Sequence, residues 1–233
     1  MHPQFIIGGT GFPLVDRDIS IGGITVNLAM VPYSPAELDR IVGLVGLRER
    51  AWPYWLEDWP ATYALAEMLN EEADGKMNGK GADAWPGPIL DLGCGAGILA
   101  AYLKQRFGRE PFSCDFNSDA CRLAAINAAR NGARTGRSKV FCADFRHFPA
   151  RAVFGLVLGG EMLYTRENQA PILAFLKTRL APGGMALFAD PGRSAAEGFT
   201  EAALAAGFKV ETRMVRMPER NRNIRVYRLT PGA

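Results

Sequence analysis

DLGCGAG, the stretch from Asp91 to Gly97, decides the fold of this chain. An apolar run that begins at Pro88 precedes it, and a helical pattern from Ile98 to Gln105 follows it. Its glycines allow the backbone to turn tightly between a strand and a helix. Because a helix N-terminus presents unpaired N–H groups and a partial positive charge, the first turn of this helix can hold an anion. The stretch therefore predicts a strand, a tight turn and a helix that together approach a ligand closely.

Short β-prone runs alternate with helical patterns on both sides of this loop. The predicted strands are Ile89–Leu92, Pro111–Cys114, Lys139–Cys142, Val153–Leu158 and Gly184–Ala189. The predicted helices are Ile98–Gln105, Ser118–Asn131, Asn168–Leu180 and Ala195–Ala206, with stops at Gly132 and at Pro182-Gly183-Gly184. This alternation predicts an α/β fold in which helices cover a parallel sheet.

The last part of the chain has a different pattern. Two extended runs, Lys209–Met217 and Ile224–Leu229, are separated by six residues, which predicts an antiparallel hairpin. A plain dinucleotide-binding fold usually finishes with another parallel strand. We therefore expect a Rossmann-like, doubly wound sheet of seven strands that ends in a C-terminal antiparallel hairpin.

The N-terminal part is less regular, and we predict two units: an N-terminal extension over residues 1–59, covering substrate or cofactor, and a ligand-binding domain over residues 60–233. The extension should contain a hairpin at Gly22–Gly23 and a short helix from Pro35. A further helix should begin at Pro60 and run to about Glu72, with a surface connection over residues 74–88. The glycine-rich IIGGTGF at residues 6–12 is excluded as a nucleotide loop because Pro13 follows it at once.

Carboxylates end the second and third predicted strands. Asp115 follows the second strand in the sequence CDFN and is placed to accept hydrogen bonds from a ribose diol. Asp144 follows the third strand in CADF and can accept a proton of an adenine amino group, with Phe145 beside the ring. These residues predict a nucleoside site, but NAD and S-adenosylmethionine both fit it.

Together, the loop at 91–97, CDFN at 114–117 and CADF at 142–145 resemble the first three cofactor motifs of class I methyltransferases. The resemblance covers roughly Pro60 to Leu229. It implies that S-adenosylmethionine is the cofactor and S-adenosylhomocysteine the product. The cofactor-binding residues that it implies are Trp59, Asp91, Gly93, Cys94, Gly95, Gly97, Asp115, Phe116, Asn117, Asp144 and Phe145.

A narrower resemblance is carried by Trp59, by GGEMLY at 159–164 and by ADPGR at 189–193. These motifs are similar to those of the seven-strand protein-lysine methyltransferases, especially the branch that acts on the beta subunit of an electron-transfer flavoprotein. Related proteins have been labelled nicotinamide N-methylases, and Glu161 stands where an aspartate is more usual. The resemblance implies that Glu161, Tyr164 and Asp190 serve the acceptor. The alternatives are a helix cap for Glu161, packing for Tyr164 and a helix cap for Asp190.

The chemistry of a lysine acceptor limits what Glu161 can do. An ordinary lysine has a pKa of about 10.4, so converting it to the neutral form near neutral pH costs about 4 kcal/mol. A carboxylate is a poor base for ammonium, and its charge raises the pKa of a nearby lysine. We therefore expect Glu161 and Tyr164 to orient the amine, while the positive charge of the sulfonium helps to expel the proton to water.

The composition limits the classes of partner and ligand that we expect for this protein. The net charge of +3 is too small to indicate nucleic acid by itself, and the two histidines with scattered cysteines offer too few ligands for a metal site. Without a long apolar stretch or a signal-peptide pattern, we expect a cytoplasmic protein with reduced thiols and no membrane contact. The sequence leaves the oligomeric state open.

The acceptor is the least determined part. A protein lysine is the first hypothesis, and a small amine or a heterocyclic nitrogen is the alternative. RNA is disfavoured because GGEMLY replaces the NPPY-like motif of nucleic-acid amino-methyltransferases, although arginines at 213, 216, 220, 222, 225 and 228 crowd the terminal hairpin. An NAD-dependent oxidoreductase and a catalytically silent binding module are the rivals from other classes.

Overall fold

A computed structural model describes residues 4–46, 52–75, 85–133, 139–148 and 151–232. Its central sheet has seven strands in the spatial order β10-β11-β9-β8-β5-β6-β7. The strands of this sheet are β5 (Ile89–Leu92), β6 (Phe112–Asp115), β7 (Val140–Cys142), β8 (Phe154–Gly160), β9 (Leu180–Asp190), β10 (Phe208–Met217) and β11 (Arg222–Pro231). Strands β5 to β9 run parallel, and β11 and β10 form an antiparallel hairpin beside β9. The predicted seven-stranded α/β fold is confirmed.

Helices cover both faces of the sheet. The helices are α1 (Pro35–Val45), α2 (Pro60–Ala73), α3 (Ile98–Phe107), α4 (Ser118–Arg130), α5 (Gln169–Arg179) and α6 (Phe199–Ala205). Buried residues of α2, α3 and α4 share one hydrophobic cluster with one face of the sheet, and those of α5 and α6 share a second cluster with the other face. Within the described residues, no helix is long and apolar enough to cross a membrane.

The N-terminal residues form two hairpins that precede α1. They are β1 (Gln4–Ile7) with β2 (Thr10–Pro13), and β3 (Val15–Ile21) with β4 (Ile24–Met30). The IIGGTGF stretch is thus the turn of the first hairpin, and the predicted hairpin at Gly22–Gly23 is the second. Strand β4 packs on α3 and α4.

A buried amide fastens β4 to the glycine loop. The side chain of Asn127 on α4 is fully buried and donates to the carbonyl of Ala29 at 3.0 Å and to that of Ala96 at 2.9 Å. It also accepts from the N–H of Ala29 at 2.7 Å. Because these buried backbone groups depend on one side chain, Asn127 holds the hairpin of β3 and β4 and the glycine loop in one arrangement.

The predicted starts of two elements are wrong, whereas the other predicted boundaries in the sheet and its helices hold to within two residues. Strand β9 begins at Leu180, not Gly184, because Leu180 already pairs with Phe154 of β8. The pairing is irregular across the Pro-Gly-Gly run that was predicted to be a stop, where Gly183 has a φ of +72°, and it resumes at Met185. The predicted helix Ala195–Ala206 is broken at Gly198, whose φ of +77° interrupts it, so that only α6 is α-helical. Of the predicted connection over residues 74–88, residues 76–84 lie outside the described part.

The arginine-rich hairpin is partly neutralised within the chain. Three of its arginines form ion pairs with acidic side chains outside the hairpin: Arg213 with Glu71, Arg220 with Asp58 at 2.8 Å, and Arg228 with Glu72 at 3.0 Å. These pairs fasten the hairpin to α2 and to the residues just before it.

Candidate functional site

A cavity of about 760 Å³ opens at the carboxyl edge of the parallel strands. Parallel strands bring their carboxyl ends to the same edge, which is where ligands bind in open α/β sheets. Twelve of the predicted site residues line it: Trp59, Asp91, Gly93, Cys94, Gly95, Asp115, Phe116, Asn117, Asp144, Phe145, Glu161 and Tyr164. Gly97 and Asp190 are not in its wall.

The glycine loop turns as the sequence predicted, with positive φ at Gly93, Gly95 and Gly97. A Cβ on Gly93 would lie 2.4 Å from Sδ of Met162, and one on Gly97 would lie 3.2 Å from Ala124 of α4. Gly97 therefore serves the close approach of α3 and α4 and starts α3.

Several amides of the loop are already used inside the protein. The N–H groups of Gly93 and Cys94 donate to the carbonyl of Cys114 at 2.8 and 3.1 Å, and that of Gly97 donates to the carbonyl of Cys94 at 2.9 Å. The N–H of Gly95 donates to Oδ2 of Asp115 at 3.1 Å. An anion at this site would have to use the amides of the first turn of α3, not these four.

Asp91 has a buried carboxylate, and one of its oxygens lacks a hydrogen-bond partner in the described part of the chain. Its side chain is 2% exposed, and Oδ2 has no hydrogen-bond partner among the described residues. Burial, with a smaller contribution from the charge of Asp115, raises the pKa of Asp91 to about 7. A cationic donor inside the cavity would complete this site.

Asp115 is held at the end of β6 by backbone amides. Oδ2 accepts from Gly95, and Oδ1 accepts from the N–H of Asn117 at 2.9 Å. Burial raises the pKa of Asp115, although these hydrogen bonds oppose the rise. Asn117 caps α4 by accepting from Asp119 and Ala120, at 2.9 and 3.1 Å, so its side-chain oxygen serves the helix as well as facing the cavity.

The predicted adenine end contains Phe116, Asp144 and Phe145. The ring of Phe116 is 42% exposed and stands at the cavity wall. Asp144 accepts from the N–H of Arg146 at 2.9 Å and pairs with its guanidinium at 3.3 Å. Phe145 is buried and packs its ring edge-on against Phe175, so Phe116 is the more accessible of the two rings.

Glu161 occupies a strained position directly after β8. Its φ of +56° is a left-handed conformation that is costly for a residue with a side chain and is typical of functional sites. The carboxylate is 8% exposed, accepts from the N–H of Ala61 at 3.4 Å and forms an ion pair with Arg193. Burial raises the pKa of Glu161, whereas Arg193 and the Ala61 amide oppose the rise. Part of the helix-cap alternative is thus present, at the start of α2.

Asp190 shapes the turn after β9 and holds Arg193. It is fully buried, and its Oδ1 accepts from the N–H groups of Gly192 and Arg193, both at 2.7 Å. Its Oδ2 pairs with the guanidinium of Arg193 at 3.3 Å. Asp190 therefore acts on the cavity through Arg193.

Four rings form an aromatic rim at the end of the cavity near Glu161: Trp52, Tyr54, Trp59 and Tyr164. The ring of Tyr54 is central, with centroids 6.4 Å from Trp52, 6.0 Å from Trp59 and 5.9 Å from Tyr164. Nε1 of Trp59 donates to the carbonyl of Tyr54 at 2.7 Å. Trp55, behind the rim, is 5% exposed and packs against Phe5 of β1.

Sequence reasoning missed Tyr54, Trp52 and Arg193 as cavity residues. The aromatic run before α2 was visible, but no periodicity indicates which of its rings face a cavity. Arg193 was part of the quoted DPGR motif, and its position three residues after Asp190 is the signal that would have identified it.

Comparison with known proteins bears on the fold and on the central part of the chain. Residues 89–184 match a family model described as a methyltransferase domain. Ribosomal protein L11 methyltransferase of Rhizobium leguminosarum bv. trifolii is 33% identical over 97 residues, which are 41% of this chain and 32% of that protein. Release factor glutamine methyltransferase of Agrobacterium fabrum is 30% identical over 151 residues, 53% of this chain and 51% of that protein. The chain thus spans about a third to a half of the length of these relatives.

Solved structures resemble the whole fold. The N-methyltransferase NodS from Bradyrhizobium japonicum WM9, in complex with S-adenosylhomocysteine, has a TM-score of 0.55 at 18% identity, covering 83% of this chain and 96% of its own. The [4+2]-cyclase SpnF has a TM-score of 0.55 at 17% identity, covering 77% and 86%. At these identities the likeness concerns the fold alone.

Taken together, residues 89–184 resemble a methyltransferase domain, and the solved structures support the predicted fold. The likeness to a cyclase illustrates that this fold also serves other reactions. The reaction of the whole protein must therefore be argued from its own site.

Proposed function

We propose that this protein is an S-adenosylmethionine-dependent N-methyltransferase whose acceptor is a lysine side chain of another protein. The observation that carries the proposal is that one cavity joins Asp91, whose Oδ2 has no hydrogen-bond partner among the described residues, to an end built from Glu161 and the aromatic rim. The first end fits the cofactor, and the second fits an alkyl amine.

The residues at the first end suit S-adenosylmethionine. Its methionine part carries an ammonium group, which supplies the cationic donor that Asp91 lacks. Its ribose has two hydroxyl donors for the remaining lone pairs of Asp115, and the exposed face of Phe116 suits a purine ring. NAD carries no ammonium group at the corresponding position, so the orphaned oxygen of Asp91 favours S-adenosylmethionine.

Methyl transfer requires alignment more than acid or base catalysis. When bound, S-adenosylmethionine supplies an electrophilic methyl group on a positively charged sulfur. The lone pair of the acceptor nitrogen forms the new N–C bond as the C–S bond breaks, and the bonding pair remains on sulfur. Placing the nitrogen in line with that bond can provide much of the acceleration.

In this proposal, Glu161 and Tyr164 orient the acceptor. The strained backbone at Glu161 aims its carboxylate between Arg193 and the start of α2, beside the rim. Tyr164 is 36% exposed and brings its ring against Tyr54. A lysine chain would pass over these rings with its apolar methylenes, and its nitrogen would meet the polar edge that Glu161 and Tyr164 provide.

A small amine or heterocycle is the alternative acceptor, because flat aromatic walls also suit a flat ring. A tritiated methyl donor distinguishes the two acceptors. The protein is incubated with methyl-labelled S-adenosylmethionine and a cell lysate, and macromolecules are separated from small molecules. We expect label in protein, released as methylated lysine on acid hydrolysis.

The matched control for this assay is Asp91→Asn, which keeps the shape of the side chain but removes the charge that the cofactor requires. We expect no label with this variant. Label confined to small molecules with the unaltered protein would replace the lysine proposal with the small-amine alternative. No label in any fraction, together with binding of S-adenosylhomocysteine, would support a silent binding module.

A further inference from the structure

Arg193 lies at the acceptor end of the cavity, where its guanidinium makes contacts with two carboxylates and one ring. Its guanidinium pairs with Glu161 and, at 3.3 Å, with Asp190. Its Cζ lies 5.8 Å from the ring centroid of Trp59, within the range of a cation–π contact. The side chain is 31% exposed and forms part of the cavity wall.

These contacts are the ones that a cationic acceptor would seek. An ammonium group at this end would be attracted by the carboxylate of Glu161 and by the face of Trp59. Arg193 already uses both. A bound cation would therefore have to displace the guanidinium or lie beside a like charge, and either arrangement weakens its binding.

We propose that Arg193 is a specificity-determining residue that occupies the cation position of the acceptor site, so that the site favours an uncharged amine over a charged one. This proposal rests on the proposed methyl transfer. A neutral amine is the form whose lone pair can attack the methyl group, and an ammonium ion bound tightly at Glu161 would be unreactive. Arg193 prevents that unproductive binding.

The charges around Arg193 support this role. Glu161 after β8 and Asp190 at the end of β9 face the guanidinium directly, and both are buried. Glu57 and Glu167 also stand in the cavity wall, whereas Arg146 pairs with Asp144 at the other end. Without Arg193 the acceptor end would be strongly acidic and would attract cations of many kinds.

A pair of isosteric probes tests the proposal. Choline carries a permanent positive charge, and 3,3-dimethylbutan-1-ol has nearly the same shape without charge. Each is titrated by calorimetry at about pH 8.5 into the unaltered protein, Arg193→Met and Arg193→Lys. Every titration is made with and without S-adenosylhomocysteine, and thermal melting checks that each variant is folded.

We expect Arg193→Met to bind choline about ten-fold more tightly than the unaltered protein does, because one carboxylate and one ring face become free. Arg193→Lys keeps the charge and should behave like the unaltered protein. The uncharged alcohol should bind all three proteins with similar affinity.

Equal choline affinity in the unaltered protein and in Arg193→Met would overturn the proposal, as would a gain for the alcohol as large as that for choline, which would indicate added space alone. Failure of the unaltered protein to bind S-adenosylhomocysteine would instead refute the proposed function. The titrations made without it would still decide whether Arg193 excludes cations.

Discussion

Replacing Asp91 with asparagine should stabilise the free protein and weaken its cofactor site. Burial raises the pKa of Asp91 from 3.8 to about 7, so the folded protein retains a proton there that the unfolded chain has released. The free energy of unfolding therefore falls as the pH rises between about 4 and 7, and the loss is complete above this window. A difference of about 3 pH units corresponds to about 4 kcal/mol, which is an upper limit.

The asparagine cannot ionise, so it avoids this loss. Its NH₂ group would itself be buried without an acceptor, which costs about 1–3 kcal/mol. We therefore expect a net gain of about 1–3 kcal/mol at pH 8.5, or a melting temperature higher by about 2–12 °C for a domain of this size. At about pH 5 the loss in the native protein is only about 1.6 kcal/mol, which the cost of the unpaired asparagine NH₂ group offsets, so this gain should vanish.

Thermal melting at both pH values, together with calorimetry of S-adenosylhomocysteine binding, measures the two effects. Asp144→Asn is the matched control, because Asp144 also lines the cavity but pairs with Arg146. The control should gain no stability at pH 8.5. The reasoning would be refuted if Asp91→Asn did not melt above the unaltered protein at pH 8.5, or if the difference between the two proteins were as large at pH 5. An unchanged affinity of the variant for S-adenosylhomocysteine would also refute it.

Three further predictions concern other residues. Glu161→Gln should lower turnover in the lysate assay by about 10²-fold because the acceptor would be misplaced, while the affinity for the cofactor should be nearly unchanged. Unaltered turnover would exclude Glu161 from orienting the acceptor. Asn127→Ala leaves three buried backbone groups unpaired and should lower the free energy of unfolding in urea by about 3–5 kcal/mol. The control Ile126→Ala, on the exposed side of α4, should lower it by less than about 1 kcal/mol. Equal unfolding midpoints of the two variants would contradict this prediction. Cys142 is the exposed thiol of the four cysteines, and burial raises the pKa of the other three. Cys142 alone should therefore react quickly with an aromatic disulfide reagent. A fast phase that persists in Cys142→Ser would show this prediction to be wrong.

Local sequence signals predicted the central elements well because they depend on neighbouring residues. The glycine loop, the cap at Asn117 and the start of α2 at Pro60 each follow from backbone chemistry within a few residues. The start of β9 could not be found in this way. Its Pro-Gly-Gly run is an ordinary breaker, and the strand extends across it only because Leu180 pairs with β8 before the run and pairing resumes at Met185 after it.

The acceptor end could not be assembled from the sequence, because its members come from separate segments. Tyr54 precedes α2 and Tyr164 follows β8, and neither position has a periodic pattern that predicts contact between their rings. Glu161 and Arg193 meet because β8 and β9 are neighbours in the sheet and end at the same edge. The strand order decides this pairing, and strand order depends on the packing of the whole domain.

The sequence alone determined that the carboxylates of Asp91, Asp115 and Glu161 stand at or near the carboxyl ends of three parallel strands. Strand, turn and helix at these places follow from local backbone preferences. Only the tertiary structure decided the states of these groups. Asp91 has a raised pKa because distant residues bury it, Asp115 is held by amides of the neighbouring loop, and Glu161 is neutralised by Arg193. Burial and charge pairing depend on what surrounds a residue in space, which its neighbours in sequence do not specify.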